Sequence, residues 1–204
     1  MPHRTALLLF LAMLIISGCH HPATSYSNWE VVNGNATGNK YSSLAQIDSS
    51  NVQQLQVAWT YHTGDADTAT HSQIQCNPII VNGIMYVTSP QSKLIALDAA
   101  TGKSIWTYSP FDSVPGNKKA YFVLNNTRGV AYLTDHQGDE RIIYTAGSFL
   151  RAINAKTGKL IDSFGNKGMV DLRDGLGVDA RDLFVTETSA PTIYKDLILA
   201  GTRV

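Results

Sequence analysis

Two thiols, one arginine in a long interruption of the chain and a few scattered imidazoles are the reactive side chains that stand out in these 204 residues. Cys19 directly follows Ile16-Ser17-Gly18, a run that resembles a bacterial lipobox. A thiol so placed is expected to receive lipid once the residues before it are cleaved; a plain secretory signal with a coincidental cysteine is the alternative. Cys76 lies in "IQCNPIIV", just before an apolar run, and reads as an inert buried thiol rather than a nucleophile. His62, His71 and His136 have neither zinc-ligand spacing nor paired cysteines beside them, and His20 and His21 read as solvated. Arg128 sits in residues 111–140, a stretch with Gly116, Gly129 and Gly138 that is longer than an ordinary strand connection. Such segments are usually functional or disordered, and by residue type alone Arg128 reads as a solvated loop arginine. Residues 171–182, "DLRDGLGVDARD", alternate acids and glycines without the EF-hand pattern and read as a solvated loop between structural units. No glycine-rich phosphate loop follows a strand, which argues against a nucleotide cofactor. The formal net charge is zero and there is no basic stripe, so nothing favours a nucleic-acid partner.

The first residues form a separate unit. A short basic start at His3 and Arg4 precedes an apolar run over residues 6–16. That run is shorter than the roughly 20 residues needed to span a bilayer and fits a secretory signal. The expected organisation is a lipoprotein signal peptide over residues 1–18, a tether over 19–28 behind lipidated Cys19, and a folded part over 29–204. Lipid on Cys19 anchors a protein to a membrane without spanning it, and the expected location is the periplasmic face or cell envelope. It also leaves Cys76 without a disulfide partner, so the folded part must be held by its core. With 44% hydrophobic residues the chain can build one.

The elements that must position these groups repeat. "LIALDAATGKSIWTY" (residues 94–108) returns as "LRAINAKTGKLIDSF" (residues 150–164). Each copy follows a strand-like segment, "GIMYVTS" or "RIIYTAG", and alternates apolar and polar residues with period two. Asp98 and Gly102 suit the tight turn inside the first copy; Asn154 and Gly158 do the same in the second. "SIWTY" and "LIDSF" are both expected to be the strand after that turn. "LQVAWTYHTG" (residues 55–64) looks like the last strand of an earlier unit, with Trp59 in the role of Trp106. "NPIIVNGIMYV" has a late echo in "APTIYKDLILAG", where a third unit begins. Four-strand repeats of this length are the mark of β-propeller blades, and the expected fold is all-β: roughly two and a half blades of a propeller.

The ordered motifs resemble a known family. "YSSLAQIDSSNVQQLQVAWTYHTGD" (residues 41–65), "ALDAATGKSIW" (96–106), "TRGVAY" (127–132), "FGNKGMVDL" (164–172) and "TSAPTIYKDLILAG" (188–201) are similar to segments of the pyrroloquinoline-quinone (PQQ)-dependent dehydrogenases, in the same order. The second of them resembles the tryptophan docking motif. The resemblance covers about residues 28–204 and is strongest to the glucose and sugar/alcohol dehydrogenase branch. It implies an eight-bladed propeller holding PQQ beside Ca²⁺, with a sugar or alcohol as substrate. Hydride passes to the quinone C5 while an aspartate acts as base, and electrons leave to cytochrome c or ubiquinone. The cofactor carries the redox chemistry and the protein orients it.

Carried onto this sequence, the resemblance implies that Arg128 grips a quinone carboxylate or carbonyl, as a guanidinium fork can. Gln75 stands where several relatives have a glutamate that touches the quinone; here it is a neutral amide. Thr188 matches a threonine that bonds the cofactor. Arg203 falls where the chain approaches the cofactor again. A calcium-binding glutamate and the catalytic aspartate are expected beyond Val204, so the piece alone is expected to be inactive. Many alcohol-oxidising relatives have two adjacent cysteines before the arginine, and some glucose-type relatives a histidine; "YFVLNNTR" has neither. The missing cysteines favour the sugar type. A non-enzymatic propeller lipoprotein, acting as a binding or outer-membrane assembly scaffold, is the competing expectation; "RGVAY" and residues 41–65 speak against it.

Overall fold

The computed structural model describes residues 28–35, 37–67, 69, 72–112, 126–177 and 180–204. The expected signal peptide, nearly all of the tether, Cys19, His20, His21, His71, Gly116 and residues 121–125 lie outside these. Every strand belongs to an antiparallel ladder. The first four-stranded sheet runs β1 (Ile79–Val81), β2 (Ile84–Thr88), β3 (Leu94–Asp98), β4 (Ser104–Tyr108) in chain order. The second repeats it with β5 (Ala131–Thr134), β6 (Glu140–Ala146), β7 (Phe149–Asn154), β8 (Met169–Asp171). A hairpin of β9 (Thr192–Tyr194) and β10 (Leu197–Leu199) follows.

Local chemistry fixes these strands. Asn82 (φ 51°) and Gly83 (φ 78°) make the two-residue left-handed turn that joins β1 to β2 with Val81 opposite Ile84. Asp98 Oδ1 accepts hydrogen bonds from the Ala100 and Thr101 amides and from Thr101 Oγ1, closing the β3–β4 turn. Asn154 Oδ1 accepts the same set from Lys156 and Thr157. Asp and Asn are interchangeable here because the turn uses only an acceptor oxygen.

The period of two is expressed as two buried faces. On β6, Ile142, Tyr144 and Ala146 pack with Ile79, Leu94 and Ala96 of the first sheet. Ile143, on the opposite face, shares a cluster with Leu150 and Ala152, against which Ile193 and Ile198 of the third unit pack. A strand buried on both sides needs apolar residues at consecutive positions, as "IIY" provides. Trp106 joins the blades further out: its Nε1 donates to the Ala155 carbonyl of the next turn at 3.0 Å. Trp59 Nε1 donates to Ala99 at 3.2 Å in the equivalent turn of the first blade, as its sequence position predicts. Residues 55–64, expected to be the last strand of an earlier unit, lie in no ladder, because among the described residues no strand offers them an edge to pair with.

Further expectations are corrected. "LIDSF" is not the fourth strand of the second blade. Leu160 makes an isolated bridge to Ile153, and then the chain leaves the sheet. It turns through Phe164, whose amide donates to the Ile161 carbonyl, and through Lys167 (φ 51°) and Gly168 (φ 86°). It rejoins as β8, with Met169 opposite Arg151. Asp162, the counterpart of Trp106, is exposed in this excursion. Another correction concerns residues 111–140, which are not one long insertion. Ala131–Thr134 is β5, the first strand of the second blade, with Ala131 buried opposite Ile143. Asp171 likewise ends β8 and pairs with Arg173 at 2.7 Å; of the residues after it, 174–177 are exposed as expected, but Leu172 and Arg173 are half-buried and Ala180 is buried.

Candidate functional site

Strand direction sorts the turns into two groups. β1, β3, β5, β7 and β9 run toward the turns at 82–83, 99–103, 135–139, 155–159 and 195–196. The segments leading into β1, β5 and β9, the turns at 89–93 and 147–148, and the residues after β10 therefore share the opposite end. Gln75, Arg128, Thr188 and Arg203 all lie at that end.

The structure links Gln75, Arg128 and Thr188 and sets Arg203 beside Thr186 rather than in contact with the other three. The Asn77 amide donates to the Arg128 carbonyl at 2.9 Å, and the Arg128 amide donates to the Thr188 carbonyl at 2.7 Å. The lead-in segments of three blades thus lie side by side, with Asn77 and Gly129 in a parallel bridge. Gly129 permits this closeness: a Cβ there would sit 3.1 Å from Val32 Cγ2 and 3.2 Å from Ala190 Cβ. Arg128 Nε donates to Gln75 Oε1 at 3.4 Å, and both side chains are exposed. The guanidinium is turned by the amide, and its Nη groups make no hydrogen bond among the described residues. Arg203 pairs backbone to backbone with Thr186, at 3.0 and 2.8 Å, two residues from half-buried Thr188.

Below this surface is a set of buried threonines that residue type alone does not reveal. Thr88 Oγ1 donates to the Thr127 carbonyl, and Thr127 Oγ1 to the Thr145 carbonyl. Thr145 Oγ1 donates to Glu187 Oε2, and Thr186 Oγ1 to the Gly147 carbonyl. All four threonines are buried. Three of these bonds cross from one blade to the next, and together they hold the lead-in segments in register. Glu187, beside Thr188, is only 1% exposed. Burial pushes its carboxyl above the usual range, against the opposing pull of Thr145 and the Gly201 amide. In sequence, "VTETSAP" gives no warning of this, because a glutamate in an alternating run reads as solvent-facing.

A second buried acid stands at the same end. Asp65 Oδ2 accepts from Ser89 Oγ at 2.6 Å and lies 3.7 Å from Lys93 Nζ. It pins residues 61–65 to the β2–β3 turn. Cys76 is half-buried; its Sγ accepts from the Thr88 amide, and desolvation raises its pKa, in keeping with an inert thiol. Among the described residues no three His, Cys, Asp or Glu side chains are grouped to hold a metal ion.

Comparison with known proteins agrees with this architecture. A family model described as the PQQ glucose/ethanol/alcohol dehydrogenase β-propeller domain matches residues 29–204. The quinate/shikimate dehydrogenase (quinone) of Acinetobacter baylyi is 31% identical over 200 residues, covering 90% of this chain and 25% of that protein. The quinoprotein glucose dehydrogenase of Escherichia coli is 32% identical, over 85% of this chain and 23% of that protein. Among solved structures, a quinohemoprotein alcohol dehydrogenase from Pseudomonas putida superimposes with a TM-score of 0.68 at 30% identity, over 88% of this chain and 23% of that one. The chain spans about a quarter of the length of these relatives.

Proposed function

The chain belongs to the PQQ-dependent glucose/ethanol/alcohol dehydrogenase β-propeller family, and on that premise we propose that it is the N-terminal portion of a PQQ- and Ca²⁺-dependent dehydrogenase. The substrate class is a sugar or another alcohol, and the electron acceptor is a cytochrome c or a membrane quinone. The enzyme works at the periplasmic face of a membrane to which lipid on Cys19 anchors it.

One observation carries the reading. Arg128 is exposed where three blades converge, with Gln75 on its Nε and both Nη groups without a hydrogen bond among the described residues. Two N–H groups of a guanidinium fork match a carboxylate. The donors present therefore fit the carboxylates of PQQ. When bound, PQQ supplies a two-electron acceptor for the hydride of an alcohol carbon. Arg128 binds one edge of the ligand, and Gln75 orients the guanidinium and offers its own amide. Thr188 offers a hydroxyl on the neighbouring lead-in segment. Trp106, the buried threonines and the close approach at Gly129 hold these groups at fixed separations, which is the protein's share of cofactor chemistry. No residue of the described chain is assigned to calcium, whose site stays part of the proposal through the family alone.

The test is dye-linked oxidation of sugars and alcohols by the full-length protein after reconstitution with PQQ and Ca²⁺. Turnover of a member of either class is expected. No turnover with any of them, and no PQQ retained after dialysis, would overturn the reading.

A further inference from the structure

We propose that Glu187 is a positioning residue, a strut that holds Thr188 and Arg203 at fixed distances from Arg128. The inference rests on the dehydrogenase reading above. Glu187 lies deeper than the residues that would touch a cofactor and has no access to one itself. Its two oxygens take donors from two elements: Thr145 Oγ1 of β6 at 2.8 Å, and the Gly201 amide after β10 at 3.3 Å. The residues on either side of these contacts are those of the site. Thr188 follows Glu187, with its carbonyl on the Arg128 amide, and Gly201 is two residues before Arg203. Thr186, just before Glu187, pairs with Arg203 and ties back to Gly147. One buried carboxyl thus joins the second blade to both chain segments that carry the third blade's site residues.

A buried carboxyl is a costly way to fill space. Taking it out of water is unfavourable, and an apolar residue would avoid that cost. No cation offsets it: among the described residues Glu187 makes no ion pair. Of the charged groups on the elements around it, Arg141 is paired with Asp139, Glu140 with Lys156, and Arg151 Nη1 is committed to the Ala146 and Phe149 carbonyls; Arg128 and Arg203 make no ion pair with it. What the carboxyl provides and an apolar residue does not is two acceptors aimed at two elements.

Full-length protein carrying Thr145→Val, Thr145→Ser or Glu187→Gln tests the strut by two readouts. The first is amide hydrogen exchange of residues 186–203, which needs no cofactor. The second is the dissociation constant for PQQ in the presence of Ca²⁺. Thr145→Val removes the donor with little change of volume. It is expected to speed exchange over residues 186–188 and 201–203 while β6 and β7 stay protected, and to weaken PQQ binding about tenfold. Thr145→Ser restores the hydroxyl and both values. Glu187→Gln keeps a side chain that can serve both partners, and its PQQ binding stays within about threefold of the parent. Unchanged exchange in Thr145→Val would overturn the strut whatever happens to PQQ. Faster exchange with unchanged affinity would overturn its role in the site. Loss of binding in Glu187→Gln with normal exchange would assign the effect to charge rather than to position. If the parent protein binds no PQQ while exchange still responds, the dehydrogenase reading fails and the cofactor role of the strut fails with it.

Discussion

The Trp106 indole fills the space that a side chain at Gly158 would occupy: a Cβ there would lie 2.7 Å from the ring. The same indole donates to Ala155 at 3.0 Å, and Tyr86 Oη donates to that carbonyl at 3.3 Å. Gly158 therefore serves twice, by its positive φ of 71° and by its bareness. Trp59 bears the same relationship to Gly102, with 2.5 Å to a Cβ.

Gly158→Ala is expected to destabilise the full-length protein by about 2–4 kcal/mol, since it adds a clash to the cost of a left-handed φ. Gly83→Ala meets the φ cost alone, because nothing lies within 4 Å of a Cβ there. It should cost about 1–2 kcal/mol. Urea unfolding of the two variants side by side checks this. Equal losses would mean that the indole yields and that the Trp–Gly contact is not what joins the blades.

The turn at Asp98 has a pH signature. Hydrogen bonds from the Thr101 hydroxyl and amide, and from the Ala100 amide, hold its carboxyl below the usual carboxylate range. A depressed folded pKa stabilises above the unfolded value and is lost as pH falls through the folded one. Asp98→Asn retains the acceptor, as Asn154 does in the second blade. It should leave stability at neutral pH nearly unchanged and make the acid-side fall shallower. Unfolding midpoints at pH 7 and near pH 3 compare the two proteins; a variant with the parent's full acid-side loss would show that Asp98 does not contribute to it.

Cys76 should resist alkylation. Burial raises its pKa and the Thr88 amide occupies its sulfur. In native protein its reaction with iodoacetamide is expected to rise with pH only above the range where free cysteine reacts, and to be at least tenfold slower near pH 8 than in unfolded protein. Mass spectrometry of the peptide containing Cys76 gives both rates. Equal rates would contradict the inert assignment.

Much of the fold was legible because its determinants are local. The Asp98 and Asn154 turns, the Asn82-Gly83 hairpin and the alternation of β3 and β7 are set within a few residues. The docking of Trp59 and Trp106 followed from their equal places in the repeat. β5 was hidden because four residues, "AYLT", inside a thirty-residue interruption look like loop. The excursion at 162–168 was missed because "LIDSF" alternates well enough to pass for a strand, and only contact with β7 shows that the chain leaves the sheet. For the site, chemistry alone did not select Arg128, Gln75, Thr188 and Arg203; the family resemblance did, and the strand directions then brought them to one end. Glu187 and the buried threonines were invisible because their meaning lies in partners up to 42 residues away.

Binding of PQQ to Arg128 is the most direct test of the whole account. In full-length protein with Ca²⁺, Arg128→Ala is expected to raise the PQQ dissociation constant about tenfold to a hundredfold, the worth of a charged hydrogen-bonded contact, and to leave the unfolding midpoint nearly unchanged. Arg128→Lys keeps the charge without the fork and should recover only part of the loss. An Arg128→Ala protein that binds PQQ as tightly as its parent would contradict the site assigned here.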